Sequence, residues 1–192
     1  TVDANDLNTI NTATTGLVTA TTVGTINGSA ANINTLITNE GNSGDKVNLD
    51  TDFTVTVSNA TTTAAQLNTI NSATTGLVTA TDVTAISGSN SDLLTLVNNE
   101  GTSGDKVDLR ADVALTLSSV GAVNSQTLNT LNSATTGLVD ATTALGIEGP
   151  ASDIVTLLSN EGTSGDKVAL DTDFYITVSS GTATVSQVNT MS

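Results

Sequence analysis

The segment Leu7–Val18, LNTINTATTGLV, returns almost letter for letter as LNTINSATTGLV from Leu67 and as LNTLNSATTGLV from Leu128. Self-similarity of this kind decides more about a fold than any local signal, because each copy must adopt the same local structure and bury its apolar face against a neighbour. Gly16, Gly76 and Gly137 mark one position in three copies, at spacings of 76 − 16 = 60 and 137 − 76 = 61 residues. Downstream, EGNSGDKV from Glu40 returns as EGTSGDKV from Glu100 and from Glu161, so one residue is inserted between Leu109 and Leu128. The chain, 1–192, thus reads as a single array: copies at 5–64, 65–125 and 126–185, with 186–192 opening a fourth.

A weaker likeness lies inside each copy, where AANINTL (Ala30–Leu36) matches AAQLNTI (Ala64–Ile70). With Leu7, Ile33, Leu67, Leu93, Leu128, Ile154 and Val188 as equivalents, the intervals are 26, 34, 26, 35, 26 and 34 residues, two unequal coils per copy. Ser29-AANINTLITNE-Gly41 predicts a short helix with Ile33, Leu36 and Ile37 on one face and Gly41 as a left-handed stop. Pro150 stands where Ser29 and Ser89 do, as a first helical turn tolerates. Between helices, Leu17–Thr21 with Val23–Ile26, and Lys46–Leu49 with Phe53–Val57, alternate with a period of two, Val or Leu inward and Thr outward.

The expected fold is therefore a β/α solenoid: stacked coils of two short parallel strands plus one short helix, two coils per 60-residue repeat. Strands stack at about 4.8 Å and helices at about 8 to 10 Å, so the helices either form one splayed row or alternate between opposite flanks.

Composition bounds the function. Aromatics make up 2% of the 192 residues, so thin layers of Ala, Val, Leu and Ile must replace a large aromatic core. Four Lys plus Arg against nineteen Asp plus Glu leave a formal charge of −15, which argues against nucleic acid and anionic membrane surfaces as partners. A mean hydropathy of +0.11 with regularly spaced apolar residues separates the chain from disordered acidic tails. Having neither Cys nor His, the chain lacks disulfides, thiol nucleophiles and imidazole bases, and the usual ligands for zinc, copper and haem. No apolar run approaches the length of a membrane span, so no membrane insertion is expected.

Two patterns could carry chemistry. The acidic sets Glu40, Asp45, Asp50 and Asp52, then Glu100, Asp105, Asp108 and Asp112, then Glu161, Asp166, Asp171 and Asp173 sit among Gly turns that could present oxygens to calcium. They match neither the EF-hand loop nor the glycine-rich calcium nonapeptide, and Gly44-Asp45 as a turn with Lys46 neutralising a neighbouring carboxylate explains them without metal. Thr19/Thr21, Thr79/Thr81 and Thr54/Thr56 could form an ice-ordering ladder, but Asp140, Ala114 and Tyr175 interrupt it and strand propensity accounts for the threonines. The helix threonines Thr9, Thr35, Thr69, Thr95, Thr130, Thr156 and Thr190 are assigned to packing between coils.

The AA-x-LNTI, ATTGLV and I-x-G-S-AA elements resemble repeat regions of very large secreted bacterial surface proteins, cyanobacterial haemolysin-like and adhesin-like ones especially. The resemblance implies secretion and a surface or matrix role, and carries over no catalytic residue or cofactor. The expected function is a non-catalytic structural segment of an extracellular stalk, surface layer or filament; the alternatives are a calcium-dependent adhesion or binding module and an ice-binding solenoid. Both ends look uncapped, so end-to-end self-association or continuation into a longer array is expected.

Overall fold

The computed structural model describes residues 1–179 and 183–191; Ser180, Gly181, Thr182 and Ser192, the last residue of the expected fourth copy, lie outside that description. Along the chain the elements run β1 (Val2–Asp3), α1 (Ala4–Thr12), β2 (Val18–Ala20), β3 (Thr25–Gly28), α2 (Ala30–Thr38), β4 (Val47–Leu49), β5 (Thr54–Val57) and β6 (Thr61–Thr63). The second copy supplies α3 (Ala64–Ser72), β7 (Val78–Ala80), β8 (Ala85–Gly88), α4 (Asn90–Asn98), β9 (Val107–Leu109), β10 (Ala114–Leu117) and β11 (Gly121–Asn124). The third supplies α5 (Ser125–Ser133), β12 (Val139–Ala141), β13 (Ala144–Gly149), α6 (Ala151–Ser159), β14 (Val168–Leu170) and β15 (Tyr175–Val178), followed by α7 (Val185–Met191).

Helix starts follow their caps. Ser29 accepts from the Asn32 N–H at 3.2 Å, Asp3 from Asn5 at 2.8 Å and Asn124 from Gln126 at 2.8 Å, while Thr63 and Gln66 form a reciprocal capping box. Pro150 takes the N-cap of α6 itself and makes no side-chain cap bond. Ile33 and Leu36, Leu93 and Leu96, and Ile154 and Leu157 are fully buried, each contributing about 1.5 to 3 kcal/mol of transfer free energy. Ile37, Val97 and Leu158, expected beside them, are half-buried on the flank of the stripe.

The chain forms two compact units, Thr1–Thr84 with Asn98–Arg110, and Ala85–Val97 with Ala111–Ser192. In the first, one parallel sheet runs β1-β3-β5-β7-β9 and a second pairs β2 with β4. In the second unit the order is β8-β10-β12-β14 in one parallel sheet and β11-β13-β15 in another. Helices pack in sequence, α1 on α2 and α2 on α3 in the first unit, α5 on α6 and α6 on α7 in the second. Asparagine amides tie these rows together: Asn8 Nδ2 donates to Asn32 O at 2.9 Å, Asn34 to Gln66 O at 3.3 Å and Asn129 to Asp153 O at 2.9 Å.

The solenoid of stacked two-strand coils is corrected by this pairing. The first and second copies each contribute five strand kinds, not four, and among the described pairings a strand never pairs with its equivalent in another copy. The sheet β1-β3-β5-β7-β9 instead holds one strand of each kind, and β8-β10-β12-β14 repeats the last four kinds in the same order. Ile26 pairs with Val55 and Val55 with Val78, so two ladder steps advance 78 − 26 = 52 residues against a copy length of 60, and each row slides obliquely from one strand kind to the next.

The reason is a count: consecutive strands alternate between sheets, and with five strands to a copy a sheet that takes every second strand meets the same kind again only after two copies. The molecule is thus an α/β fold of four interleaved parallel sheets. The stalk, surface-layer and filament readings, which required a rod of equivalent coils laid one on another, fall with the solenoid.

Candidate functional site

The recurrent acidic loops build a sheet-edge cap. After α2, Val47 N donates to Asn39 O at 2.9 Å and Gly41 N donates to Val47 O at 3.1 Å, so the chain leaving the helix forms a parallel bridge alongside β4. The same bridge seals β9 at Glu100 and β14 at Glu161. Gly44, Gly104 and Gly165 carry φ values of 72°, 69° and 66°, so the left-handed residue the motif needs is this second glycine. Gly41, expected as the left-handed stop, serves close approach instead: a Cβ there would lie 3.1 Å from Lys46 Cγ.

Lys46 Nζ donates to Thr38 O at 3.4 Å, so its ammonium sits at the negative end of α2 and bonds a carbonyl where a carboxylate partner was expected. Among the described residues no three Asp or Glu side chains converge as a metal site, which overturns the calcium-dependent module. The sets at Glu40, Asp45, Asp50 and Asp52 and their equivalents are turn and edge residues.

The ice-binding ladder fails on register. Thr56 lies between Asn27 and Thr79, Thr79 is followed by Asp108, and Thr19 faces Asn48, so the outward rows mix amide, hydroxyl and carboxylate. The helix threonines do not pack between coils either: Thr9, Thr35, Thr69, Thr130, Thr156 and Thr190 each bond back to the carbonyl four residues earlier, and all but the half-buried Thr130 are exposed. The inter-helix contact that sequence reading missed is carried by the neighbouring asparagines Asn8, Asn34 and Asn129, whose signal is their recurrence one residue before those threonines.

A different surface emerges from comparing the copies. In the second, Thr75 N donates to Thr51 O at 3.0 Å, Thr74 Oγ1 donates to Phe53 O, and Leu77 O accepts from Val55 N at 2.9 Å. In the third, Thr136 N reaches Ala111 O at 2.9 Å, Thr135 Oγ1 reaches Val113 O at 2.6 Å, and Leu138 O accepts from Leu115 N at 2.9 Å. The ATTGLV loop is therefore a docking element for the strand that precedes it in the sheet. Its glycine is required there, since a Cβ on Gly76 would lie 2.4 Å from Phe53 O and one on Gly137 2.5 Å from Val113 O.

The first copy presents the same loop with nothing docked. Thr14, Thr15 and Gly16 are exposed and, with Thr12, Ala13 and Asp45, border a shallow polar hollow. A Cβ on Gly16 would meet only Thr14 Oγ1, at 3.5 Å. β2 pairs with β4 on one edge and with no described strand on the other; β15 pairs with β13 and likewise has one open edge.

Comparison with known proteins finds no matching family model, no significantly similar curated protein and no significantly similar solved structure. The resemblance to large secreted bacterial surface proteins is corrected accordingly: it rested on small, low-complexity residues whose arrangement here is the interleaved α/β fold.

Proposed function

We propose that the chain is a non-catalytic association module whose partner is a further copy of itself. The observation that carries the reading is a contrast between equivalent apolar positions. Ile10 is 51% exposed, whereas its equivalents Ile70 and Leu131 are sealed at 0%. At the other end of the repeat pattern Val178 is 41% exposed, against 0% for Val57 and 1% for Leu117. The first and third copies thus each show one face that the neighbouring copy covers elsewhere, and the two faces are complementary because they are the two sides of one internal contact. A surface joined this way is heterologous, so each molecule offers one face and accepts at the other.

The absence of His and Cys supports the non-catalytic half of the reading, since it removes the commonest general base and thiol nucleophile. Sedimentation velocity across a wide concentration range tests the association. The expected result is a mass that climbs above the 19.1 kDa of one chain as concentration rises. A constant monomer mass throughout refutes it.

A further inference from the structure

Resting on that self-association, we propose how it is made: β2 of one copy adds to the open edge of β15 of another, and α1 of the incoming copy takes the place of α7. The three-stranded sheet β11-β13-β15 and the two-stranded sheet β2-β4 are the two parts of the five-strand order seen whole in β1-β3-β5-β7-β9. Strand kind by strand kind, β11, β13 and β15 correspond to β1, β3 and β5, while β2 and β4 correspond to β7 and β9. Placing β2 beside β15 completes the sheet, and its far edge is already sealed by the Glu40 bridge to Val47.

The internal junctions supply the register. Val55 pairs with Val78 and Thr56 with Thr79; Leu115 pairs with Val139 and Thr116 with Asp140. The equivalent contact pairs Ile176 with Val18 and Thr177 with Thr19 of the second copy. Ile176 N then donates to Leu17 O, Thr15 N to Thr172 O, and Thr14 Oγ1 to Phe174 O, filling the hollow beside Asp45. Gly16 becomes the place where the Asp173 and Phe174 carbonyls pass too close for a Cβ.

One element stands in the way. α7 packs on α6 as α3 packs on α2, which is where α1 of the incoming copy must go. The exchange favours α1, because docking covers Ile10, 51% exposed where Ile70 and Leu131 are sealed, whereas α7 buries nothing and leaves Val188 50% exposed. α7 is therefore a weak, displaceable cover over the docking face.

The absence of cysteine from these 192 residues allows a direct test on the intact chain. Thr19→Cys and Thr177→Cys chains are mixed, oxidised mildly, and the mixed disulfide is counted by mass spectrometry against a Thr19→Cys and Ser159→Cys mixture. The expected result is a 19–177 cross-link that forms at least about ten-fold faster than the 19–159 control. Adding Gly16→Ala to the Thr19→Cys chain should abolish that preference, and adding Val188→Pro, which breaks α7, to the Thr177→Cys chain should speed the cross-link several-fold. Equal rates for the two mixtures, with sedimentation still showing association, overturn this docking mode and leave self-association standing. A monomer with or without Val188→Pro defeats both readings. Slower cross-linking with Val188→Pro overturns the replacement of α7.

Discussion

Substituting Ala for Gly at position 76 should destabilise the fold, while the identical change at position 16 should not. The added Cβ at Gly76 would stand 2.4 Å from Phe53 O and 2.6 Å from Asp52 O, both backbone atoms that cannot rotate away. A carbon and a carbonyl oxygen rest at about 3.3 Å or more, so the two segments must part by close to about 1 Å. They part at the point where Thr75 N meets Thr51 O at 3.0 Å and Val55 N meets Leu77 O at 2.9 Å. Overpacking of this kind costs about 1 to 3 kcal/mol, and stretching one of those hydrogen bonds adds about 1 kcal/mol.

Against this, replacing Gly lowers the entropy of the unfolded chain, a gain of about 0.4 to 1 kcal/mol. The net expectation is a loss of about 1 to 3 kcal/mol for Gly76→Ala and a change within about 0.5 kcal/mol for Gly16→Ala. Urea unfolding followed by circular dichroism, at one low protein concentration so that mass action does not differ between variants, measures both. Equal stability of the two variants would refute the argument, because it would mean that the ATTGLV loop does not press on the strand beside it.

Leu67→Ala should cost about 2 to 5 kcal/mol because Leu67 is fully buried beneath α3, whereas Val188→Ala, at the equivalent but half-open position, should stay within about 0.5 kcal/mol in the isolated chain. Thermal unfolding at equal concentration separates them, and similar losses at both positions would show α7 to be packed as firmly as α3. Salt should strengthen self-association. Two chains of formal charge −15 repel each other, and the junction brings Asp173 to the loop beside Asp45; between about 0.1 and 1 M salt the screening length falls from about 10 to 3 Å. Sedimentation showing weaker association at high salt would mean that attractive ion pairs hold the contact.

Local structure was legible in the chain because local chemistry causes it. Ser29, Thr63 and Asn124 place helix starts, the i, i+3 pairs such as Ile33 and Leu36 place their buried faces, and Val-x-Val or Val-x-Leu alternation places the strands. The threefold recurrence of Leu7–Val18 announces that copies pack on one another. Which strand lies beside which was not legible. The strands built on Val, Leu or Ile share one apolar-in, polar-out period, so Val55 could face Ile86 as readily as Val78 on sequence alone. The choice of Val78 follows from an odd number of strands per copy alternating between sheets, a property of the whole repeat that no short segment encodes.

The same division holds for the candidate site. Thr14, Gly16 and Leu17 are chemically the same residues as Thr74, Gly76 and Leu77, and sequence gives them one meaning. Only the tertiary structure distinguishes them, by docking Phe53 and Val55 against the second set and leaving the first uncovered, because what a docking loop does depends on whether a strand of the right kind lies beside it.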